Sequence, residues 1–177
     1  MRPQDGTEAE VEVRAFAEGD LDSVVALSLE AWRPVYASFE AVLGDEIFPL
    51  QYPDWRASQR KEVEAACTAE GAHAWVAVAG GRVAGFTVVV LQPEDAMGHV
   101  ELLAVHPDFQ GRRIGTVLTE FAVEWMREAG VRLASIWTGG DVGHAPARKT
   151  YERAGFSPLP LVRYYKALDP VGHGTTT

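Results

Sequence analysis

An apolar strand that runs through a glycine-bearing turn into an amphipathic helix constrains this chain more than any other feature. In HVELLAVHPDFQGRRIGTVL, residues 99–118, the run Leu102, Leu103, Ala104 and Val105 reads as a strand that Pro107 stops. From Ile114 onward, Val117, Leu118, Phe121, Ala122, Trp125 and Met126 recur at helical spacing. Between them lies Gln110-Gly111-Arg112-Arg113-Ile114-Gly115. Backbone N–H groups at a helix start lack intrahelical partners, and the helix dipole favours negative charge there, so such a turn is a device for holding a phosphate. Gly111 and Gly115 allow close approach to the backbone, and Arg112 and Arg113 add cations. The spacing matches neither the dinucleotide nor the nucleoside-triphosphate glycine pattern. On these residues alone, an ordinary strand-to-helix turn with surface arginines explains the stretch equally well.

Around this unit the periodicity predicts a single α/β domain over residues 1–177, with polar, flexible ends at 1–9 and 170–177. Val11, Val13 and Ala15 alternate as a first strand. Asp20 is placed to cap a helix with an apolar stripe ending at Trp32, which Pro34 should interrupt, and a second helical segment follows over 39–50. Asp54 starts another helix, which Gly71 ends. Residues 74–79 and 83–91 read as strands joined by a Gly80-Gly81 hairpin turn. A strand over 133–137, a loop, a helix over 147–154 stopped by Gly155, and final strands at Phe156 and 161–168 complete the chain.

The net charge of −9 and pI near 5.0 argue against a nucleic-acid partner and favour a cationic substrate, or simply solubility. No apolar run reaches membrane-spanning length, and one cysteine, Cys67, rules out an intrachain disulfide; a reducing cytoplasm is the expected compartment. The five histidines show no metal-ligand spacing, so no metal site is expected.

Two motifs point to a family. The stretch LLAVHPDFQGRRIGTVL resembles the pyrophosphate-binding motif of the GNAT superfamily of acetyl-coenzyme A-dependent N-acetyltransferases, Gln/Arg-x-x-Gly-x-Gly/Ala, with Arg113 where the inner glycine is usual. HAPARKTYERAGF, residues 144–156, is similar to the family's late motif: Ala147, Tyr151, Gly155 and Phe156 match, and His144 replaces the usual asparagine. The resemblance spans about Ala74 to Leu168. It implies a mixed, mostly antiparallel sheet of six to seven strands flanked by helices. Its fourth and fifth strands would splay around acetyl-coenzyme A as cosubstrate.

Carried over residue by residue, the resemblance places the cofactor against Leu103, Ala104, Val105, Gln110, Gly111, Arg112, Arg113, Ile114, Gly115, Thr116, His144 and Ala147. A bulge near 103–105 would supply a backbone N–H to the thioester oxygen. His144 would touch the pantetheine arm or, as the simpler reading, cap its helix. Tyr151 would stand beside the sulfur as proton donor. Attack requires a neutral amine, and alternation puts His99, Glu101, Leu103 and Val105 on one strand face. Glu101 is the candidate base and His99 its rival. Cys67 sits among alanines without a helically spaced histidine, which argues for direct transfer. The aromatic-rich segment with Trp32, Tyr36, Phe39, Phe48, Tyr52 and Trp55 either walls the acceptor site, Trp32, Tyr36 and His99 being its candidate residues, or forms core. Arg163, Tyr164 and Tyr165 are placed to reach the acceptor or a second copy in a homodimer. The expected activity is acetylation of a small-molecule primary amine. A protein N-terminal or lysine acetyltransferase and a non-catalytic acyl-coenzyme A sensor are the alternatives.

Overall fold

A computed structural model describes residues 10–169; the ends expected to be flexible, and His173, lie outside the described residues. Strands β1 (Val11–Ala15), β2 (Ala72–Ala79), β3 (Arg82–Gln92), β4 (Met97–Val105) and β5 (Leu133–Ile136) lie side by side in that order. The first three junctions are antiparallel and β4 with β5 is parallel. Gly80 and Gly81, both with positive φ, make the β2–β3 turn as expected. Helices α1 (Leu21–Gln51) and α2 (Trp55–Thr68) cover one face of the sheet through Val24, Val25, Leu27, Val63 and Ala66. Helix α3 (Ile114–Glu128) covers the other face through Ile114, Leu118, Ala122 and Met126. Helix α4 (Ala145–Arg153) follows β5. No helix of the described residues is long and apolar enough to cross a membrane.

The described sheet has five strands rather than six to seven. Phe156 and residues 161–168, expected as strands, form no ladder. A strand needs a partner for its N–H groups, and Pro158 and Pro160 bring none. Along this segment Leu159, Leu161, Val162, Tyr164 and Leu168 are exposed. Pro34 does not end its helix either. The first helix runs on to Gly44, whose φ of 69° and ψ of 178° only glycine adopts readily, and that break, not Pro34, separates it from the helical piece that continues to Gln51. Proline removes one N–H bond, and the buried Ser28, Val35 and Tyr36 on both sides hold the helix across that gap. Asp20 occupies the cap position, but its carboxylate does not cap. It accepts a fork from the Arg14 guanidinium at 2.7 and 2.8 Å and the Ala17 N–H at 2.9 Å. The Arg14 bonds hold it below the usual carboxylate range.

One irregularity decides what β4 presents. Leu102 pairs with Val88 but Val100 with Val89, so Glu101 is an extra residue in the ladder. The bulge therefore lies at Glu101, earlier than the expected 103–105. Leu102 and Ala104 join the core under α1 and α2, whereas Val100 packs with Ala122 and Met126 of α3. Strict alternation fails at this point. His99 and Glu101 do share the α1–α2 side, but Leu103 and Val105 pack on the α3 side.

Candidate active site

Between β4 and β5 the ladder stops at Val100–Ile136, and β4 continues alone to Val105. The His106 N–H donates to the Ala84 carbonyl of β3 at 2.8 Å. Alternation therefore turns the polar groups of Ala104 toward β3 and leaves those of Leu103 and Val105 on the open side. This is the expected splay. Within it, the Gln110 side chain donates to the Val105 carbonyl at 3.3 Å, tying the following turn to the open edge.

That turn opens α3. The Val117 N–H reaches the Arg113 carbonyl at 2.9 Å, so the N–H groups of Ile114, Gly115 and Thr116 precede the helical ladder. Gly111 has a φ of 78° and Arg113 a φ of 62°, so Arg113 occupies a left-handed position that glycine would take without strain. Gln110, Gly111, Arg112 and Arg113 are exposed, and the Arg112 guanidinium lies 5.3 Å from the Phe109 ring centroid. A Cβ on Gly115 would meet only the Val105 and Thr150 methyls, at 3.7 and 3.8 Å, so α4 flanks the turn.

Tyr151 of α4 is 8 % exposed, and burial pushes its phenol up to about 12. Ala147 lies half-buried one turn before it. His144 does not cap α4; its Nδ1 lies 2.6 Å from Asp141 Oδ1. Burial pushes Asp141 upward, but bonds from His144, Ser38 and the Gly143 N–H together outweigh it and hold the carboxyl low. Arg148 Nη1 donates to the carbonyls of Gly139 and Asp141 at 2.6 and 2.7 Å, fastening the loop from β5 to α4. The packed loop explains Gly143. A Cβ on Gly143 would stand 2.9 Å from Val35 Cα and 3.0 Å from the Pro34 carbonyl.

On the α1–α2 side, Glu101 is exposed at its bulge. His99 Nδ1 lies 3.0 Å from Ser135 Oγ; burial lowers its pKa against the opposing pull of Glu101, so the ring is neutral at pH 7. Opposite them, α2 presents Glu62, whose carboxyl the surrounding protein and then the Glu101 charge push up. Tyr36 is buried and donates to Gln59 Oε1 at 3.2 Å; burial, then Glu62, raises its phenol. Trp32 packs against the core under α1 and α2. Cys67 is buried, with its thiol pushed up to about 11 by burial and then by Glu101.

Sequence reasoning missed Ser135, Asp141, Arg148, Gln59 and Glu62. Gln59 and Glu62 were accessible as a three-residue helical step on the face of Trp55; Ser135 meets His99 across the β4–β5 ladder, and Asp141 and Arg148 act within the loop before α4, so none of the three carried a periodic signal.

A profile of the acetyltransferase (GNAT) family matches residues 39–156, about two thirds of the chain. A mycothiol acetyltransferase of Rhodococcus jostii is 29% identical over 81% of this chain and 50% of its own. The chain spans between about a fifth and a half of the curated mycothiol acetyltransferases it matches. The PaiA N-acetyltransferase of Thermoplasma acidophilum, solved with coenzyme A, superposes with a TM-score of 0.62 at 15% identity, over 84% of this chain and 90% of its own. AAC(6')-Iy, solved with the bisubstrate analogue CoA-S-monomethyl-acetylneamine, gives 0.62 at 16% identity over 91% and 100%. The open β4 edge, the turn that follows it and the family match converge: the chain belongs to the acetyltransferase (GNAT) family.

Proposed function

We propose that this chain transfers an acetyl group from acetyl-coenzyme A to a primary amine of a small molecule. One observation carries the reading. The unpaired end of β4 runs directly into a turn and helix start whose N–H groups are unused, so an amide-bearing arm and a diphosphate meet donors in line. Gly115 leaves the approach open, and Arg112 and Arg113 supply exposed positive charge at the same turn. Acetyl-coenzyme A, when bound, supplies the thioester. The residues of this chain do the rest. Leu103 and Val105 hold the arm and present an N–H to the thioester oxygen. Glu101 attracts the substrate ammonium and accepts its proton, with neutral His99 on the same side as the second acceptor. Tyr151 keeps its proton at neutral pH and hydrogen-bonds the departing sulfur, which leaves as a thiolate. Cys67, buried and held as a thiol, supports direct transfer without an acyl-cysteine.

The acceptor class is supported by the names of the relatives: a mycothiol acetyltransferase, and a structure held with an acetylneamine bisubstrate analogue. The test is calorimetric titration with acetyl-coenzyme A, followed by thiol release with small amines. Micromolar binding is expected, and Gly115→Glu, which sets a carboxylate among the free N–H groups, should weaken it at least tenfold. Equal affinity in that variant would place the diphosphate elsewhere and overturn the reading. Glu101→Gln should lower turnover while leaving acetyl-coenzyme A affinity intact.

A further inference from the structure

We infer that His144, oriented by Asp141, is a further catalytic residue: its Nε2 takes the proton that nitrogen still has to lose after attack and returns it to the departed sulfur. The loop from β5 to α4 is built around this pair. His144 Nδ1 lies 2.6 Å from Asp141 Oδ1, and the two side chains are only 16% and 10% exposed. Asp141 Oδ2 accepts the Gly143 N–H at 2.9 Å, and the buried Ser38 of α1 bonds the same carboxylate. An ionised carboxylate only accepts, so Nδ1 carries the hydrogen, and in the neutral ring Nε2 is left as a lone-pair acceptor. Nε2 takes no partner among the described residues and is not enclosed. Two glycines make room for the pair. A Cβ on Gly139 would stand 2.5 Å from His144 Nδ1 and closer still to Asp141 Oδ1; one on Gly143 would stand 2.9 Å from Asp141 Oδ2. Arg148 already fastens this loop through the Gly139 and Asp141 carbonyls. His106 and Asp108 offer the contrast of an ordinary surface pair, 3.7 Å apart with the carboxylate 65% exposed.

The pair stands at the seam between the two halves of the site. On one side is α1, which covers the sheet face of Glu101 and His99: the Phe39 ring centroid lies 5.6 Å from that of His144, and Ser38 holds Asp141. On the other side is α4, which flanks the phosphate-type turn through Thr150. His144, Ala147 and Tyr151 stand at i, i+3 and i+7, along one stripe of that helix. Aromatic side chains on a helix lean toward its N-terminus, which brings the Tyr151 hydroxyl back along the stripe toward His144. The chemistry leaves this place a task. Converting R–NH₃⁺ and a thioester to an amide, a thiol and one released proton takes two protons from nitrogen. Glu101, with His99 beside it, takes the first, before attack. As the C–N bond forms and the C–S bond breaks, nitrogen has one more to shed, and sulfur, leaving as thiolate, needs one. Tyr151 hydrogen-bonds that sulfur but holds its own proton. His144 Nε2 closes both ends: it accepts from nitrogen, Asp141 stabilises the imidazolium, and the proton passes to sulfur.

The inference rests on the amine-acetyltransferase reading. The probes are neamine, glucosamine and 2-phenylethylamine, with product read as acetylated amine and acetyl-coenzyme A affinity read by calorimetry. His144→Asn, which installs the motif's usual amide, should lower kcat about a hundredfold or more and change acetyl-coenzyme A affinity less than about threefold. In His144→Ala, added imidazoles should restore kcat, the more so the more basic the imidazole; a ring that only fills space would restore it regardless of basicity. ¹⁵N NMR should find the neutral His144 ring protonated on Nδ1. Asp141→Asn should move that proton to Nε2 and lower kcat at least tenfold. Unchanged kcat in His144→Asn, rescue indifferent to basicity, or a wild-type ring protonated on Nε2 would each overturn the inference, while wild-type turnover keeps the acetyltransferase reading standing. Wild-type protein that binds acetyl-coenzyme A and acetylates none of the three amines overturns the inference as well; failure to bind it overturns both.

Discussion

Replacing Tyr151 by phenylalanine isolates one hydroxyl, and the structure sets the size of its effect. The ring is buried and the hydroxyl makes no hydrogen bond among the described residues, so folding should tolerate the change. Its pKa of about 12 bounds the chemistry. A departing alkyl thiol has a pKa of about 8.5, so full proton transfer from Tyr151 would run uphill by about 3.5 pH units, or about 5 kcal/mol. In the proposed reaction Tyr151 would therefore act chiefly as a hydrogen-bond donor to developing negative charge on sulfur. Such a bond contributes about 1.5–3 kcal/mol, which is about tenfold to 150-fold in rate. The assay is steady-state thiol release from acetyl-coenzyme A with a saturating amine, together with calorimetric affinity and thermal unfolding. We expect kcat to fall within that range, acetyl-coenzyme A affinity to change less than twofold, and Tm to hold. The wild-type rate should show no Tyr151 ionisation below about pH 11. Unchanged kcat would remove Tyr151 from the reaction. A loss far above a thousandfold would show obligatory proton transfer and refute the argument from its pKa.

Two further outcomes follow from local geometry. Arg113 holds a left-handed conformation that costs a non-glycine residue about 1–2 kcal/mol, while glycine costs about 0.5–1 kcal/mol in chain entropy. Arg113→Gly should thus raise Tm by about 1–4 °C, read by calorimetry; a lower Tm would mean the arginine side chain contributes more than its backbone loses. Asp20 is held below its ordinary pKa by Arg14, so its stabilising contribution is complete above about pH 4 and lost as pH falls through its lower folded value. Asp20→Asn should cost about 1–2 kcal/mol at pH 7, with Arg14 partly exposed, and progressively less as pH falls below about 4. A pH-independent loss in urea titrations would assign the effect to packing instead.

The parts of this protein that sequence alone determined are those whose signal is local. An apolar run, a proline, a glycine turn and a 3.6-residue stripe placed β4, the phosphate-type turn and α3; Gly80-Gly81 placed the hairpin; the Ala147–Tyr151–Gly155 spacing placed α4 and its tyrosine. Tertiary structure decided what depends on partners distant in the chain. The bulge at Glu101 exists only in the register of β4 against β3, and it moves Leu103 and Val105 to the face opposite Glu101. The helix survives Pro34 because side chains on both sides are buried, and residues 161–168, strand-like in pattern, lack a neighbour to pair with. His99 meets Ser135, and Glu62 meets Glu101, because separate elements pack together. Periodicity reports which way a side chain leaves its own element; only packing decides what it finds there.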